Sequence, residues 1–248
     1  MTRIDPRHPR YRSLVVRAGL ARALADDVIV PEGLIAHGRG EAFDYLLGER
    51  TLPSARRAER TAARWIWAAH HPVLSVNGNV AALASREVVR LWRARPGLEI
   101  EINLFHRRPE RVRAIARTLR AAGLPEVRGL HPTARLPGLS SDRARVDARG
   151  IATADLCLIP LEDGDRAEAL HRLGRRVVSI DLNPLSRTTQ VADLPIVDEL
   201  TRALRHLTDD LHRSRPKTPG NGRFAPFDAD AARTSALATI GRWARRPR

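Results

Sequence analysis

The chain has 248 residues, of which 43% are hydrophobic and 4% aromatic, and its formal net charge is +15. A chain of this length can bury a core as one large domain or two small ones. The charge comes almost wholly from arginine, with Lys217 the only lysine, and is compatible with a nucleic acid, a membrane surface or a small anion as partner. Because the arginines are spread along the chain and aromatic side chains are scarce, we expect no nucleic-acid partner.

The single cysteine and the first residues bear on location. Cys157 lies in an apolar run, has no second cysteine to pair with and is typical of a buried residue in a reducing compartment. The first ten residues are rich in charge and lack the apolar segment of a secretory signal. No run approaches the roughly 18 apolar residues of a membrane span. We therefore expect a cytoplasmic protein that does not enter a membrane.

Two features precede the predicted sheet. Residues 1–27 are predicted to form a basic arm followed by a helix with a broad apolar face. The motif His37-Gly38-Arg39-Gly40 comes next, and its two glycines let the backbone approach a ligand while Arg39 offers a bidentate contact to an anion. The motif is not a P-loop, and no GxGxxG occurs in the chain. It therefore indicates an anion contact without identifying a nucleotide-binding fold.

Predicted strands and helices alternate from residue 53 onward. A helix at 53–70 precedes an apolar strand that begins at Val73 and runs into Asn77-Gly78-Asn79, and a helix at 80–91 follows. The next strand is predicted at 98–105 and the next helix at 107–122. This alternation predicts a parallel sheet with right-handed crossovers. Residues 126–150 are polar and are predicted to form a long loop of the kind that covers or binds a ligand.

Three further strands lead into polar segments. The strand at 155–160 precedes the acidic stretch 162–168. This stretch either holds Mg²⁺ or takes a proton from an amine, or it caps the following helix. The strand at 177–180 precedes the polar segment 181–188, which is either one wall of a polar-ligand site or a capped turn. A last strand at 194–197 precedes a helix that is predicted to be capped by Asp198 and to carry an apolar stripe from Leu200 to Leu211.

The predicted organisation is one α/β domain at 1–213, with an N-terminal helical arm at about 1–27, and a linker plus a C-terminal helix at 214–248. The carboxyl ends of parallel strands meet at one edge of a sheet, so the polar clusters at 77–79, 162–165 and 181–188 are expected to lie together. On the residues alone, this arrangement indicates an α/β enzyme that acts on phosphorylated substrates and uses a nucleotide.

Five segments of the chain carry a family resemblance. Residues 8–14, 32–45, 75–83, 160–166 and 180–188 resemble the archaeal 4-phosphopantoate–β-alanine ligases, also called phosphopantothenate synthetases. The similarity follows the family's order and spacing from about Arg7 to Leu211. It implies a Rossmann-like parallel sheet flanked by helices and a homodimer. It also implies the ATP-dependent condensation of (R)-4-phosphopantoate with β-alanine, with release of AMP and pyrophosphate through an acyl-adenylate.

The resemblance implies roles for particular residues. The implied nucleotide contacts are Arg17, Arg39, Asp181, Leu182, Asn183, Arg187, Thr188, Glu199 and Leu200. The implied contacts to the substrates are His37, Gly38, Gly40, Asn77, Gly78, Asn79 and Asp163. Asp163 and Asp165 are candidates for Mg²⁺ or for the β-alanine ammonium group, and the candidate catalytic residues are His37, Arg39 and Asp165. The family is expected to have Asn at position 199, so Glu199 departs from its pattern.

Two alternatives stay open on the sequence. A related ATP-dependent ligase or kinase for another small acid would share the strand and site pattern, and ADP as a product would distinguish acyl-phosphate or kinase chemistry from adenylation. A basic protein that binds a nucleotide or a nucleic acid without turning over ATP would instead bind DNA or RNA in a salt-sensitive way.

Overall fold

The computed structural model of the protein describes residues 4–218 and 220–243. Its centre is a five-stranded sheet with the order β2-β1-β5-β6-β7, in which every neighbouring pair is parallel. The strands of this sheet are β1 (Pro72–Val76), β2 (Glu99–Ile102), β5 (Leu156–Pro160), β6 (Arg176–Ile180) and β7 (Leu194–Ile196). Strands β3 (Ala134–Arg135) and β4 (Arg145–Val146) form a separate antiparallel pair. The predicted α/β fold with a parallel sheet is confirmed.

Helices cover both faces of the sheet. They are α1 (Tyr11–Ala25), α2 (Pro31–Leu47), α3 (Pro53–Ala68), α4 (Gly78–Ala94), α5 (Pro109–Ala121), α6 (Gly164–Arg172), α7 (Arg187–Val191), α8 (Leu200–Arg213) and α9 (Ala229–Gly241). Within the described ranges, no helix has both the length and the apolar character that crossing a membrane requires.

The two faces belong to two separate apolar clusters, as the alternation of side chains along a strand requires. Leu74, Leu158 and Val178 pack in the cluster that contains apolar residues of α3, α4, α5 and α8. Their neighbours Val73, Cys157 and Val177 pack on the opposite face, against α6 and the segment that leads into β5. All six side chains are fully buried, which explains why the strands have continuous apolar sequences.

The strand order places a crevice at the centre of the sheet. The chain passes from β1 to β2 on one side, and β5, β6 and β7 follow on the other side of β1. In open α/β sheets, ligands bind outside the carboxyl ends of the strands at the point where the order reverses. That point here lies between β1 and β5.

Helix α2 was not predicted, and it contains the whole His37–Gly40 motif. Three internal glycines, at positions 33, 38 and 40, lower its helix propensity, so the sequence pattern did not predict a helix there. Both of its ends carry the usual signals, with Pro31 in the first turn and Gly48 in the left-handed conformation (φ 86°) after the last turn. Because glycine has no side chain, these glycines reduce the side-chain cover on the surface of α2. They do not form a turn around a ligand.

Three other expectations need correction. The region 126–150 is not only a loop, because it contains β3, β4 and a short 3-10 helix (Asp142–Ala144). The strand predicted at 98–105 ends at Ile102. Helix α8 is capped by Glu199 and not by Asp198, because the Glu199 carboxylate accepts hydrogen bonds from the backbone N–H groups of Thr201 and Arg202. The Asp198 carboxylate turns the other way, to Thr51 and Arg202.

The C-terminal segment packs against α3. The Trp65 indole donates a hydrogen bond to the Ala225 carbonyl, and its ring lies edge-on to Phe224 with the centroids 5.4 Å apart. The predicted helix at 231–245 is α9, which buries Ala232 and Ala236. Residues 1–3 of the predicted basic arm, Pro219, and residues 244 and 245 of that predicted helix lie outside the described residues.

Candidate active site

A cleft of about 570 Å³ lies at the carboxyl ends of the strands. Helices α1 and α2 form one wall, and the segments that follow β1, β2, β5, β6 and β7 form the floor and the other wall. The cleft therefore contains the crevice where the strand order reverses and extends toward both edges of the sheet.

The predicted site residues divide into two groups. The residues that line the cleft are His37, Arg39, Gly40, Asn77, Gly78, Asn79, Asp163, Leu182, Glu199 and Leu200. The residues that do not line it are Arg17, Gly38, Asp165, Asp181, Asn183, Arg187 and Thr188. Most of the second group belongs to the predicted nucleotide contacts and lies around the ends of β5 and β6.

The Asn77 side chain joins the two strands at the reversal point. Its amide nitrogen donates to the carbonyls of Leu161 (2.9 Å) and Pro160 (3.3 Å), and its amide oxygen accepts from the Val80 N–H (3.1 Å). Leu161 has a positive φ of 49°, which is strained for a residue with a side chain. Asn77 therefore shapes the crevice between β1 and β5 with hydrogen bonds that stay within the protein.

Asn79 connects the same turn to α2. Its amide nitrogen donates to the Gly33 carbonyl over 2.8 Å. A Cβ at position 33 would come within 2.4 Å of the Asn79 side-chain oxygen, so glycine is required for this close approach. The hydrogen bond holds α2 against the turn after β1 and thereby closes one side of the cleft.

An arginine from another segment neutralises the acidic residues after β5. The Arg143 guanidinium contacts Asp163, lies 3.5 Å from Asp165 and 3.1 Å from Glu162, and stacks 4.7 Å from the centre of the Phe105 ring. A metal ion between Asp163 and Asp165 would first have to displace this guanidinium. The carboxylate pair thus forms an ion-pair cluster and does not fit an open metal site.

A second acidic group lies away from this segment. Glu59, Asp198 and His206 are, within the described ranges, the only group of acidic, cysteine or histidine side chains close enough to share one ion. Arg56 and Arg202 already contact the two carboxylates. Burial raises the pKa of Glu59 to about 9; the hydrogen bond from Arg56 opposes this shift and the neighbouring Asp198 adds to it. Glu59 therefore holds a proton at neutral pH, which makes it a poor metal ligand.

The sequence left open whether the segment after β6 is a capped turn or one wall of a polar-ligand site, and the structure shows features of both. Asp181 accepts a hydrogen bond from the Asn183 N–H, Asn183 accepts one from the Leu185 N–H, and Ser186 caps α7, as in an ordinary capped turn. Thr188 donates to the Glu162 carbonyl over 2.5 Å and so ties the end of β6 to the end of β5. Burial raises the pKa of Asp181. A capped turn in this position can still serve as one wall of a site.

The predicted arginines differ in what they contact. Arg17 pairs with Glu41 over 2.6 Å, and Arg187 pairs with Glu168 over 2.6 Å. Burial raises the pKa of Glu41, but hydrogen bonds from Ser13, Arg17 and Tyr45 outweigh it and bring the value to about 2. The Arg39 side chain is exposed at the cleft and makes no hydrogen bond or ion pair with any described residue. Arg39 is thus the predicted arginine that is open to an anion.

His37 lies half-buried in the cleft wall. Burial lowers its pKa below the usual 6.5, with Glu41 acting in the opposite direction, so its imidazole is neutral at pH 7. A neutral imidazole can accept a proton, which is the property a general base needs.

Several cleft residues were not predicted. They include Asn103, Phe105, His106, Arg111 and Arg143. Asn103 directly follows β2, but the strand was predicted to run to residue 105, so the rule that selected polar residues after the other strands did not reach it. The two arginines carry no local signal, because the chain is rich in arginine and only the folded structure places them at the cleft.

Residues 54–242 match the family model described as phosphopantothenate/pantothenate synthetase. The chain belongs to this family. The matched residues run from the first turn of α3 to the end of α9, so they include the whole sheet. Helices α1 and α2, which carry Arg17, His37 and Arg39, line the cleft from outside the matched range.

Curated relatives extend the similarity. The chain is 51% identical over 211 residues to a 4-phosphopantoate–β-alanine ligase of Thermococcus kodakarensis, an alignment that covers 84% of this chain and 80% of the relative. It is 52% identical to the proteins of the same name from Methanospirillum hungatei (82% and 83% covered) and Methanosarcina mazei (84% and 81% covered). The resemblance that the sequence motifs indicated is confirmed, and the protein is an enzyme of the ligase class.

Proposed function

We propose that the protein condenses (R)-4-phosphopantoate with β-alanine to form 4′-phosphopantothenate in coenzyme A biosynthesis, while ATP becomes AMP and pyrophosphate. The similarity to relatives of that name, at about half identity over four-fifths of the chain, carries the proposal. The cleft at the strand-order reversal supports it, since this is where α/β enzymes of this kind bind small ligands.

The proposed reaction has two steps. The pantoate carboxylate attacks the α-phosphorus of ATP and releases pyrophosphate, which turns a poor electrophile into an acyl-adenylate. The β-alanine ammonium group first gives up one proton and becomes a neutral amine. Its nitrogen then attacks the acyl carbon, the bond to AMP breaks, and a second proton passes from the nitrogen to a base. Both steps need the three reactants held in contact and their negative charge offset by cations.

We place the nucleotide at the β6 and β7 side of the cleft. The proposed contacts to its base, ribose and phosphates are Asp181, Leu182, Asn183, Arg187, Thr188, Glu199 and Leu200. Arg39 is proposed to bind a phosphate, because it lines the cleft without a protein partner. Arg17 can do so only if it shares or releases Glu41. The Glu199 carboxylate is already engaged in capping α8, so its contact is proposed to come from the backbone.

For the acid and the amine we propose the opposite side of the cleft. His37, Gly38, Gly40, Asn77, Gly78 and Asn79 are proposed to contact the acid, with Asn77 and Asn79 acting mainly by positioning the turn after β1. Asp163 is proposed to bind the β-alanine ammonium group, supported by its position in the cleft and its 61% exposed side chain. Asp165 lies behind it and is proposed to act through Arg143.

ATP is proposed as the nucleotide and Mg²⁺ as its counter-ion. The cation would offset the charge of the phosphates. No step is assigned to a metal bound at Asp163 and Asp165, because Arg143 lies between them.

We propose His37 as the group that accepts the amine proton. Its neutral imidazole in the cleft wall supports this role. The rate of the single-turnover amide-forming step is then expected to rise with pH through an ionisation below pH 6.5, and His37→Asn is expected to lose both most of the rate and that ionisation. An unchanged pH profile in His37→Asn would exclude the role.

The reaction is tested by mass spectrometry of one mixture that contains ATP, Mg²⁺, 4-phosphopantoate and β-alanine. Formation of 4′-phosphopantothenate with an equal amount of AMP is expected. ADP with the same product would exclude the acyl-adenylate as the intermediate and favour an acyl phosphate. No product from a folded sample that binds ATP would discard the substrates.

Arg39→Met tests the nucleotide contact. The KM for ATP is expected to rise roughly 10- to 100-fold, because a charge-assisted hydrogen bond to a phosphate is lost. Arg117→Met is the matched control, since Arg117 is exposed on α5 away from the cleft. Equal KM values for ATP in the two variants would remove Arg39 from the proposed nucleotide site.

We further propose that the protein is a homodimer. Large apolar side chains on α1 and α2 are exposed, among them Val15 (40%), Ile35 (70%) and Leu46 (41%), and a partner subunit would cover them. Light scattering is expected to give twice the 27.6 kDa chain mass for the native protein and the chain mass for a variant with Ile35→Glu and Leu46→Glu. Leu237→Glu, on α9, serves as the control, and a native monomer would contradict the proposal.

A cytoplasmic location is also proposed. The single cysteine is fully buried, so folding requires no disulfide and suits a reducing compartment. Fractionation of cells with an antibody to the protein should place it with cytoplasmic enzymes, and recovery outside the cytoplasm would contradict the proposal.

A further inference from the structure

Arg111 is a buried cation without a carboxylate partner. It is 6% exposed, and no salt bridge joins it to any acidic side chain of residues 4–218 and 220–243. Burial lowers its pKa and the neighbouring Arg108 adds to this effect, whereas the charges of Asp27 and Glu32 oppose it only in part. A buried charge that lacks a counter-ion is unfavourable, and natural proteins keep such groups mainly where a ligand supplies the opposite charge.

Two backbone carbonyls fix the orientation of this guanidinium. Nη1 donates to the His106 carbonyl over 3.0 Å, and Nε is 3.4 Å from the Val28 carbonyl. Neither carbonyl neutralises the charge. The third nitrogen, Nη2, has no hydrogen-bond partner among the described residues. Arg111 itself is one of the residues that line the cleft. Two nitrogens of the guanidinium are therefore held by the backbone, and the free donor Nη2 lies beside Gly78, which also lines the cleft.

The turn after β1 leaves room for this donor. A Cβ on Gly78 would come within 2.8 Å of Arg111 Nη2 and within 2.3 Å of the Val28 carbonyl oxygen. Glycine at position 78 is thus a condition for placing the guanidinium beside the backbone at the end of β1.

Arg111 and the proposed nucleotide contacts lie toward opposite edges of the sheet. Its partner His106 follows β2, the edge strand, whereas Asp181 and Asn183 follow β6 and Glu199 follows β7. Neighbouring strands lie about 4.8 Å apart, so the ends of β2 and β6 are separated by roughly 14 Å. An anion at Arg111 therefore lies on the opposite side of the cleft from a nucleotide base and ribose at β6 and β7.

We propose that Arg111 binds the phosphate monoester of the acid substrate through Nη2 and thereby selects the phosphorylated acid over the unphosphorylated one. This inference rests on the proposed function. The carboxylate of the acid must face the nucleotide in order to be adenylated, so the phosphate at its other end points toward the β2 side. A fixed guanidinium is well suited to a phosphate oxygen, because little side-chain freedom is lost when the contact forms.

The test compares two acids in two variants. For Arg111→Met, kcat/KM is expected to fall roughly 10- to 100-fold with 4-phosphopantoate and to stay unchanged with pantoate, since one charge-assisted hydrogen bond is removed only for the phosphorylated acid. The KM for ATP is expected to stay unchanged. Arg113→Met is the matched control, because Arg113 lies on the same helix but is exposed and paired with Glu110.

The result that would overturn the proposal is an equal effect of Arg111→Met on both acids, or no effect on either. If that variant does not fold, Arg111→Lys takes its place: a fall in the ratio of the two kcat/KM values supports the proposal, and an unchanged ratio overturns it. Folding is checked by circular dichroism and by the melting temperature.

A binding measurement separates this inference from the proposed reaction. Inorganic phosphate is expected to raise the melting temperature of the wild-type protein and of Arg113→Met, and to raise that of Arg111→Met and Arg111→Lys clearly less, because the proposed phosphate contact at Arg39 remains in all of them. If the wild type makes neither AMP nor product from any acid but phosphate binding still depends on Arg111, the proposed reaction fails and the anion site stands. If phosphate stabilises all variants equally, the anion site fails whatever the reaction is.

Discussion

Arg111 and Arg143 both line the cleft from buried positions, yet their surroundings are opposite. Arg143 lies among Glu162, Asp163 and Asp165 and stacks on an aromatic ring. Arg111 has only two backbone carbonyls as partners. The protein itself therefore supplies carboxylates that neutralise Arg143, but it supplies none that pairs with Arg111.

The difference teaches how to distinguish a structural arginine from a binding one in a chain with 43 basic residues. Position in a cleft does not separate the two. What separates them is whether the protein itself supplies the negative charge, because a guanidinium that already has carboxylate partners gains little from a further anion. The following predictions test that distinction, beginning with the largest expected effect.

Arg143→Met is expected to lower the free energy of unfolding by about 3 kcal/mol, because the buried Glu162 loses its closest cation. Arg111→Met is expected to lower it by only about 1 kcal/mol, since the two lost hydrogen bonds are offset by removal of an uncompensated charge. Denaturant unfolding measures both values. Equal losses would mean that the two arginines have the same structural role.

Gly78→Ala is expected to destabilise the protein by about 1–3 kcal/mol and to reduce the preference for the phosphorylated acid, because the new methyl group collides with the Val28 carbonyl and with Arg111. Gly241→Ala, at the end of α9 and away from the cleft, is the matched control, because nothing lies within 4 Å of its Cβ. An unchanged KM for the acid in Gly38→Ala would also remove Gly38 from the proposed substrate contacts.

Glu59 shows that an ion-pair partner does not by itself keep a buried carboxyl group charged. It contacts an arginine and still holds a proton at neutral pH. Its pKa is raised from the usual 4.5 to about 9, chiefly by burial, so the folded protein binds a proton that the unfolded chain has lost. Stability is therefore expected to fall as the pH rises from about 4.5 to about 9. Glu59→Gln should flatten this dependence, whereas Asp209→Asn, an exposed change on α8, should not.

The smallest effect is expected in the reactivity of Cys157, which reports opening of the structure around it. Burial raises the pKa of its thiol to about 12, and the side chain is fully buried, so iodoacetamide at pH 8 should label it only when the protein opens. Labelling should stay slow in the wild type and in Arg111→Met and become faster in Arg143→Met. Rapid labelling of the wild type would contradict the burial of Cys157.

Much of the fold could be predicted because its signals are local. The strands β1, β5, β6 and β7 are short apolar runs that end in polar residues, and the amphipathic helices between them repeat apolar residues at helical spacing. The same local rule identified 77–79, 162–165 and 181–188 as cleft or near-cleft segments. Helix α2 was missed because packing and its two end signals, Pro31 and Gly48, outweigh the low propensity of its glycines.

The sequence by itself thus determined the sheet, the edge at which the cleft lies and the family. Only the tertiary structure decided which of the cleft charges are free, because the contacts that decide it come from residues far along the chain. Arg143 pairs with Asp163 and Arg202 with Asp44, whereas the distant contact of Arg111 is the Val28 carbonyl, which carries no charge. Spacing along the sequence carries no information on such contacts, since they depend on how separate elements meet in space. Compensation of charge is therefore a property of the packed molecule and not of any motif.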